Sequence, residues 1–122
     1  MIEVIEIFKA LADETRLRIL KLLLTVEESV CVCELVDALD LPQYLASRHL
    51  NILKRAGLLE GKRSGTWVYY SPVQNASPLI EGVFSLISDR LDIEGSKEDL
   101  KRLRDRMALR MEGVCVIGYE SK

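Results

Sequence analysis

Aromatic side chains supply only 6% of this 122-residue chain. That scarcity, with leucine and isoleucine dominating the apolar set, favours helices over strands. No apolar run approaches the roughly 20 residues that cross a bilayer; the richest, Ile19 to Leu24, carries Lys21. The opening Met1-Ile2-Glu3-Val4 lacks the basic stretch of a signal peptide. No membrane partner is therefore expected, and the cytoplasm is the expected compartment. Three cysteines, an odd number in a reducing compartment, argue against a disulfide framework. The single histidine, His49, has no partner imidazole with which to hold a metal. Repeats and low-complexity linkers are lacking and the length is that of one domain, so residues 1–122 are read as one unit. A chain of this size buries roughly two-thirds of its unfolded surface, enough for a real core.

The total charge of −2 does not announce a nucleic-acid partner, but clustering is the better test. Arg48, Lys54, Arg55, Lys62 and Arg63 fall close together, with His49 among them. Acidic residues gather elsewhere, at Asp13-Glu14, Glu27-Glu28, Asp37, Asp40 and from Asp89 to Asp99. The charge is polarised, with one basic region.

Residues 2–11 carry Ile2, Ile5, Phe8 and Leu11 at three-residue steps, the pattern of a short amphipathic helix. Asp13 is a good N-cap for a second helix, Glu14–Leu24, expected to bury Leu17, Leu20 and Leu24 and to leave Arg16, Arg18 and Lys21 in water. Thr25-Val26-Glu27-Glu28 fits a capping box and Ser29 is a second candidate cap; either starts a third helix ending near Leu39. Asp40-Leu41-Pro42 is a turn, proline suits the first position of a fourth helix, Pro42–Ala56, and Gly57 stops it. At about 100° per residue, Ala46, Leu50 and Leu53 point one way on that helix. Tyr44, Ser47, Arg48, Asn51 and Arg55 point the other way, with Gln43 and Lys54 on the flank. Two helices joined by a short turn, the second with a donor-rich outer face, make residues 30–56 a helix-turn-helix.

Leu58–Arg63 and Thr66–Ser71 flank Ser64-Gly65, which closes a hairpin over 58–71 with Lys62 and Arg63 at its tip. A basic hairpin directly after a reading helix is a wing, placed to touch phosphates or the minor groove. The spacing Ile80, Phe84, Ile87, Leu91 makes a packing seam in a helix from Leu79 to Asp92. Gly95-Ser96 breaks it, and a last helix from Lys97 to about Met111 aligns Leu100, Leu103, Met107 and Met111. The tail, 112–122, holds the third cysteine, Cys115. The expected fold class is mainly α with a β-hairpin, a winged helix-turn-helix.

Cys31 and Cys33 stand one residue apart in Ser29-Val30-Cys31-Val32-Cys33-Glu34-Leu35. Thiolates are soft ligands for thiophilic ions, and a helix start lowers thiol pKa. The plainer alternative is a pair of small buried hydrophobes. Residues two apart on a regular helix diverge by about 200°, so both sulfurs are expected to grip one ion only if the first turn unwinds. That strain would then misalign the reading helix.

Four patches together resemble the ArsR/SmtB family of small dimeric winged-helix repressors. They are Phe8 to Leu20, Cys31-Val32-Cys33-Glu34-Leu35, Ala46 to Leu59, and Gly65-Thr66-Trp67-Val68-Tyr69-Tyr70. The second of these is similar to the thiolate motif of the family's arsenic, antimony and cadmium sensors. The resemblance implies a homodimer, with helices in 1–12 and 79–111 for dimerisation. It implies double-stranded operator DNA bound without ligand and released with it, no permanent cofactor and no enzymatic activity. The implied inducer is As(III) or Sb(III), with Cd(II) a further candidate, held at Cys31 and Cys33. Such arsenic sensors often carry a third cysteine three residues after the second; here that place is Val36. Cys115, from either subunit, is a candidate third ligand. The family's histidine-based zinc and cobalt site has no counterpart, since 79–95 holds no histidine.

Base readout is expected of Gln43, Tyr44, Ser47 and Arg48, near the helix start, with Asn51 on the same face. Lys54, Arg55, Lys62 and Arg63 are expected to neutralise phosphates. His49 is expected to combine a packed body with a polar tip near a phosphate. Alternatives are a redox- or persulfide-responsive repressor of the same fold, a protein-interaction module, and a thiol oxidoreductase, for which no acid–base partner or thioredoxin-like βαβ pattern is found.

Overall fold

The computed structural model describes residues 1–110. The elements run α1 (Ile2–Leu11), α2 (Glu14–Val26), β1 (Val30–Cys31), α3 (Val32–Leu39), α4 (Gln43–Arg55), β2 (Leu59–Ser64), β3 (Trp67–Pro72), α5 (Pro78–Ser85), a π turn over Leu86–Arg90, and α6 (Ser96–Met107). The fold is a winged helix-turn-helix: α3 and α4 meet at the Asp40–Pro42 turn, and an antiparallel sheet ordered β1-β3-β2 forms the wing. Met111, the tail 112–122 and Cys115 lie outside the described residues.

Helix ends follow capping chemistry. The Asp13 carboxylate accepts the Arg16 N–H at 3.0 Å and starts α2. After α4, the Leu58 N–H reaches the Leu53 carbonyl at 3.1 Å and the Gly57 N–H reaches the Lys54 carbonyl at 3.0 Å. This is a Schellman ending, and Gly57 takes the left-handed φ of 83° that it requires. Leu53 and Leu58 are both fully buried, so the ending is fastened to the core.

The core joins Ile19, Leu20 and Leu23 of α2, Leu35, Val36 and Leu39 of α3, and Ala46, Leu50 and Leu53 of α4. Leu58, Leu59, Ile87 and Leu103 close it. Fully burying one such side chain contributes about 1.5–3 kcal/mol, against about 0–1 for an exposed ion pair, so this cluster holds the reading helix in place.

Five features depart from the pattern-based expectations. First, α2 continues to Val26, and the Thr25 hydroxyl turns back to the Lys21 carbonyl at 2.6 Å. Neither Thr25 nor Ser29 starts the next helix. Glu27 turns the chain at φ 54°, Val30-Cys31 pairs with β3, and Cys31 becomes the N-cap of α3.

Second, α2 packs on more than one side. Ile19, Leu22 and Leu23 are buried, while Leu17 and Leu24 are only partly so. Lys21, expected in water, donates to the carbonyls of Ile87, Ser88 and Leu91 at 3.1, 2.8 and 3.3 Å, satisfying the end of the π turn. Third, Ser64 pairs with Trp67, so the hairpin turns on Gly65-Thr66, one residue later than expected, with Gly65 at φ 64°.

Fourth, α1 buries Ile7 and Ala10, whereas Ile2, Ile5 and Phe8 of its predicted apolar stripe are exposed. Leu79 and Leu86 are exposed as well. Fifth, α6 begins at Ser96, ends at Met107, and lies on α2 and α3 of its own chain. Arg18 grips Asp99 with two bonds of 2.9 and 2.7 Å, Arg102 reaches Asp99 at 2.9 Å and the Ala38 carbonyl at 2.7 Å, and Arg106 pairs with Asp37. The inner face of α6, part of the segment expected to dimerise, is thus committed within the chain.

Candidate nucleic-acid interface and thiol site

The two faces of α4 separate as its spacing predicts. Ala46, Leu50 and Leu53 are buried, and Gln43, Tyr44, Arg48, Asn51, Lys54 and Arg55 are exposed. Tyr44 is 72% exposed, an unusual position for an aromatic ring unless something covers it. Ser47 is half-buried and accepts from the Gln43 amide at 3.2 Å. Lys62 and Arg63, on β2, are also exposed, which leaves the basic side chains of helix and wing free to meet phosphates.

His49 lies on the buried side of α4. Its Nδ1 is 3.1 Å from the Arg16 guanidinium, whose Nε also donates to the Ala10 carbonyl at 2.6 Å. A guanidinium has no lone pair to offer, so Nδ1 is the acceptor and the imidazole is neutral, with its proton on Nε2. Burial lowers the His49 pKa below its ordinary value; Arg16 and Arg48 add to the shift and Asp13 opposes it. The packed body expected of His49 is there, and its Nδ1 is turned to the α1–α2 corner.

Cys31 and Cys33 are both almost fully buried, in a small cluster apart from the main core. They are joined as a disulfide, with Cα atoms 5.5 Å apart, an ordinary separation for a bridge. The expected divergence of the sulfurs does not occur. Cys31 lies before the helix in extended backbone, φ −84° and ψ 157°, and only Cys33 is helical. The sulfurs therefore converge with α3 intact, and no unwinding of its first turn is needed. A bridge across two residues closes almost no chain, so it is not the framework that the odd cysteine count argued against. Among the described residues, no cluster of three or more His, Cys, Asp or Glu could hold a metal ion.

Charged and aromatic groups surround the pair. Glu34, fully buried, accepts the Cys31 N–H at 3.0 Å, and the Cys31 side chain accepts the Glu34 N–H, a capping box with cysteine where serine is usual. Arg110 closes on Glu34 with bonds of 2.7 and 2.6 Å and donates to the Ser29 carbonyl at 2.9 Å. Its guanidinium also stands 5.5 Å over the Tyr69 ring, a cation–π distance. The bond to Glu34 raises the Arg110 pKa, against the opposing effect of burial. Trp67 and Tyr69 cover the sulfurs from β3. Of these four, only Glu34 had a local signal, its place three residues after the cap. The others arrive from distant parts of the chain.

A family model described as "bacterial regulatory protein, arsR family" matches residues 13–60. An uncharacterised HTH-type transcriptional regulator of Methanocaldococcus jannaschii is 54% identical over 65 residues, 53% of this chain and 72% of that protein. The chain belongs to the ArsR family. The arsenical resistance operon repressor of Escherichia coli is 52% identical to this ArsR-family chain over 66 residues, 54% of the chain and 56% of the repressor. A homodimeric winged helix-turn-helix DNA-binding domain from Mycobacterium bovis has the same fold, with a TM-score of 0.59 at 34% identity over 70% of this chain and 74% of that one. The family is one of DNA-binding transcriptional regulators, not of enzymes. Its matched region runs from the cap of α2 into the wing, so it takes in the cysteine pair and the whole reading helix of this ArsR-family protein, but neither α5 nor α6.

Proposed function

We propose that this chain is a homodimeric repressor that binds double-stranded operator DNA and releases it when a thiophilic ion binds the thiolates of Cys31 and Cys33. The observation that carries the reading is the pair itself: two adjacent buried sulfurs at the start of α3, the helix that leads into α4. Arsenite or antimonite is the inducer and Cd(II) a further candidate, because soft ions take thiolate donors over water. The similarity to an arsenical resistance repressor supports that choice. A dithiol reductant must first open the bridge by exchange, leaving two cysteine thiols and itself becoming a disulfide, since a disulfide offers no thiolate.

Gln43, Tyr44, Ser47, Arg48 and Asn51 read bases, and Lys54, Arg55, Lys62 and Arg63 meet phosphates; the exposure of these side chains supports the division, Ser47 being the half-buried exception. His49 braces the helix from behind. A third sulfur comes from Cys115 of either subunit; it stands five residues after Arg110, and five residues reach at most about 17 Å. The exposed apolar side chains Ile2, Ile5 and Phe8 of α1, with Leu79 and Leu86, are suited to cover by a second copy of the chain.

A mobility-shift assay with the DNA upstream of the gene tests the reading. Reduced protein should shift that DNA, As(III) should abolish the shift, and Cys31→Ser/Cys33→Ser should bind DNA but ignore As(III). A shift that survives As(III) in fully reduced wild-type protein overturns the inducer. A monomer by light scattering at micromolar concentration overturns the dimer.

The disulfide favours a second reading, a redox-responsive repressor. Two thiols and one hydrogen peroxide give one disulfide and two waters, and the bridged form is the released one. Loss of the shift with peroxide, and none with As(III) under anaerobic conditions, selects this reading over the first.

A further inference from the structure

The cysteine pair is bonded more directly to the wing than to the reading helix. Cys31 pairs with Tyr69 across β1 and β3, and Tyr69 pairs with Lys62 across β3 and β2. One row of the sheet thus runs Cys31, Tyr69, Lys62, from a sulfur to a basic residue near the wing tip. Trp67 shares the face of Tyr69, two residues away on the same strand, and pairs with Ser64 beside the turn. Both side chains pack against the cysteine pair. From the other side, Glu34 holds the Cys31 N–H, and Arg110 bridges Glu34, the Ser29 carbonyl and the Tyr69 ring.

The path towards α4 is built differently. Between Cys33 and the turn, Leu35, Val36, Ala38 and Leu39 are locked in the main core. Arg106 at Asp37 and Arg102 at the Ala38 carbonyl pin the far end of α3. A close-packed helix so held resists small displacements. The far end of the hairpin, residues 62–66, is exposed and lacks such packing.

We propose that the state of the cysteine pair is signalled to the wing, through Tyr69 and Trp67 to Lys62 and Arg63, while α4 keeps its position. The inference rests on the pair being the sensing site. Glu34 and Arg110 are positioning residues that hold the pair against β3. Release then follows from lost phosphate contacts, which carry much of the affinity and no sequence preference, and not from a misaligned reading helix.

Peptide-resolved hydrogen exchange on the full-length chain tests the route without DNA or metal. In the Cys115→Ser background, with the pair reduced by dithiothreitol and then oxidised by peroxide, exchange should change in 29–35 and 59–72 and stay constant in 43–55. Change in 43–55 with none in 59–72, or change confined to 29–35, overturns the proposal. Operator affinity of wild type and of Lys62→Ala/Arg63→Ala, each reduced and with or without As(III), gives the functional arm. Coupled sites commonly shift affinity about 5–150-fold; that factor is expected in wild type and should collapse towards one in the double variant. An equal factor in both proteins overturns the wing route. If neither As(III) nor peroxide changes wild-type affinity, the sensing reading falls, and the exchange comparison still decides between wing and helix.

Discussion

The reading helix and the thiol site solve the problem of holding a working residue in opposite ways. On α4 the two tasks lie on separate faces: Ala46, His49, Leu50 and Leu53 fix the helix, and Tyr44, Arg48, Asn51, Lys54 and Arg55 stand free in solvent. At the thiol site one set of residues does both. Cys31 is at once a sheet residue, a helix cap and half of the bridge, and Glu34 is at once a capping partner and the anchor for Arg110. A surface of the first kind can change its specificity without cost to the fold. A site of the second kind ties its chemistry to the packing around it, because the same side chains carry both.

That contrast can be broken most forcefully at Glu34. Glu34→Ala removes both short bonds to the Arg110 guanidinium, 10% exposed at its side chain, and leaves it the Ser29 carbonyl and a longer contact of 3.9 Å to Glu28. Breaking a buried pair from one side costs about 3–5 kcal/mol, which urea unfolding would register, while Glu34→Met/Arg110→Met should recover most of it. A loss under about 1 kcal/mol would mean that the pair behaves as a surface pair and that the thiol site is no more integrated than the reading face. Arg48→Ala probes the other side. It should weaken operator binding by about 1–3 kcal/mol and relax specificity if Arg48 reads a base, with the unfolding midpoint unchanged. An equal loss on all DNA sequences would make Arg48 a phosphate contact.

The smallest effect concerns His49. Its pKa in the folded protein lies below the ordinary 6.5, so the fold favours the neutral ring. The unfolded chain takes up the proton first, and the contribution is complete above about pH 6.5 and declines as pH falls through the window below it. Urea midpoints measured between about pH 7 and pH 6 should fall for wild type and stay flatter for His49→Gln. Identical slopes would show that the back of α4 is not held through this imidazole.

How much of this was legible in the sequence depended on the range of the interaction. The faces of α4, its Schellman ending at Gly57 and the Asp13 cap are set by residues within a few positions of one another, and periodicity and cap chemistry report them directly. β1 has only two residues and its partner lies on β3, so no local pattern marks it; that is why α3 begins at Val32 instead of further upstream. Arg106 of α6 and Arg110 just beyond it look like a solvated face until the fold brings Asp37 and Glu34 to them. Ile2, Ile5 and Phe8 have core spacing and face outward, because periodicity identifies an apolar face without saying what covers it. The thiol motif was visible, but its geometry was not, since the 200° argument holds only where both residues are helical.

One consequence of the cover over the sulfurs is practical. Trp67 is the only tryptophan in the chain, and its ring rests against Cys31 and Cys33. Indole emission is quenched by nearby sulfur, and to different degrees by a thiol, a thiolate and a disulfide. The state of the pair is therefore open to optical reading in solution at any moment, without a label, a metal or a strand of DNA.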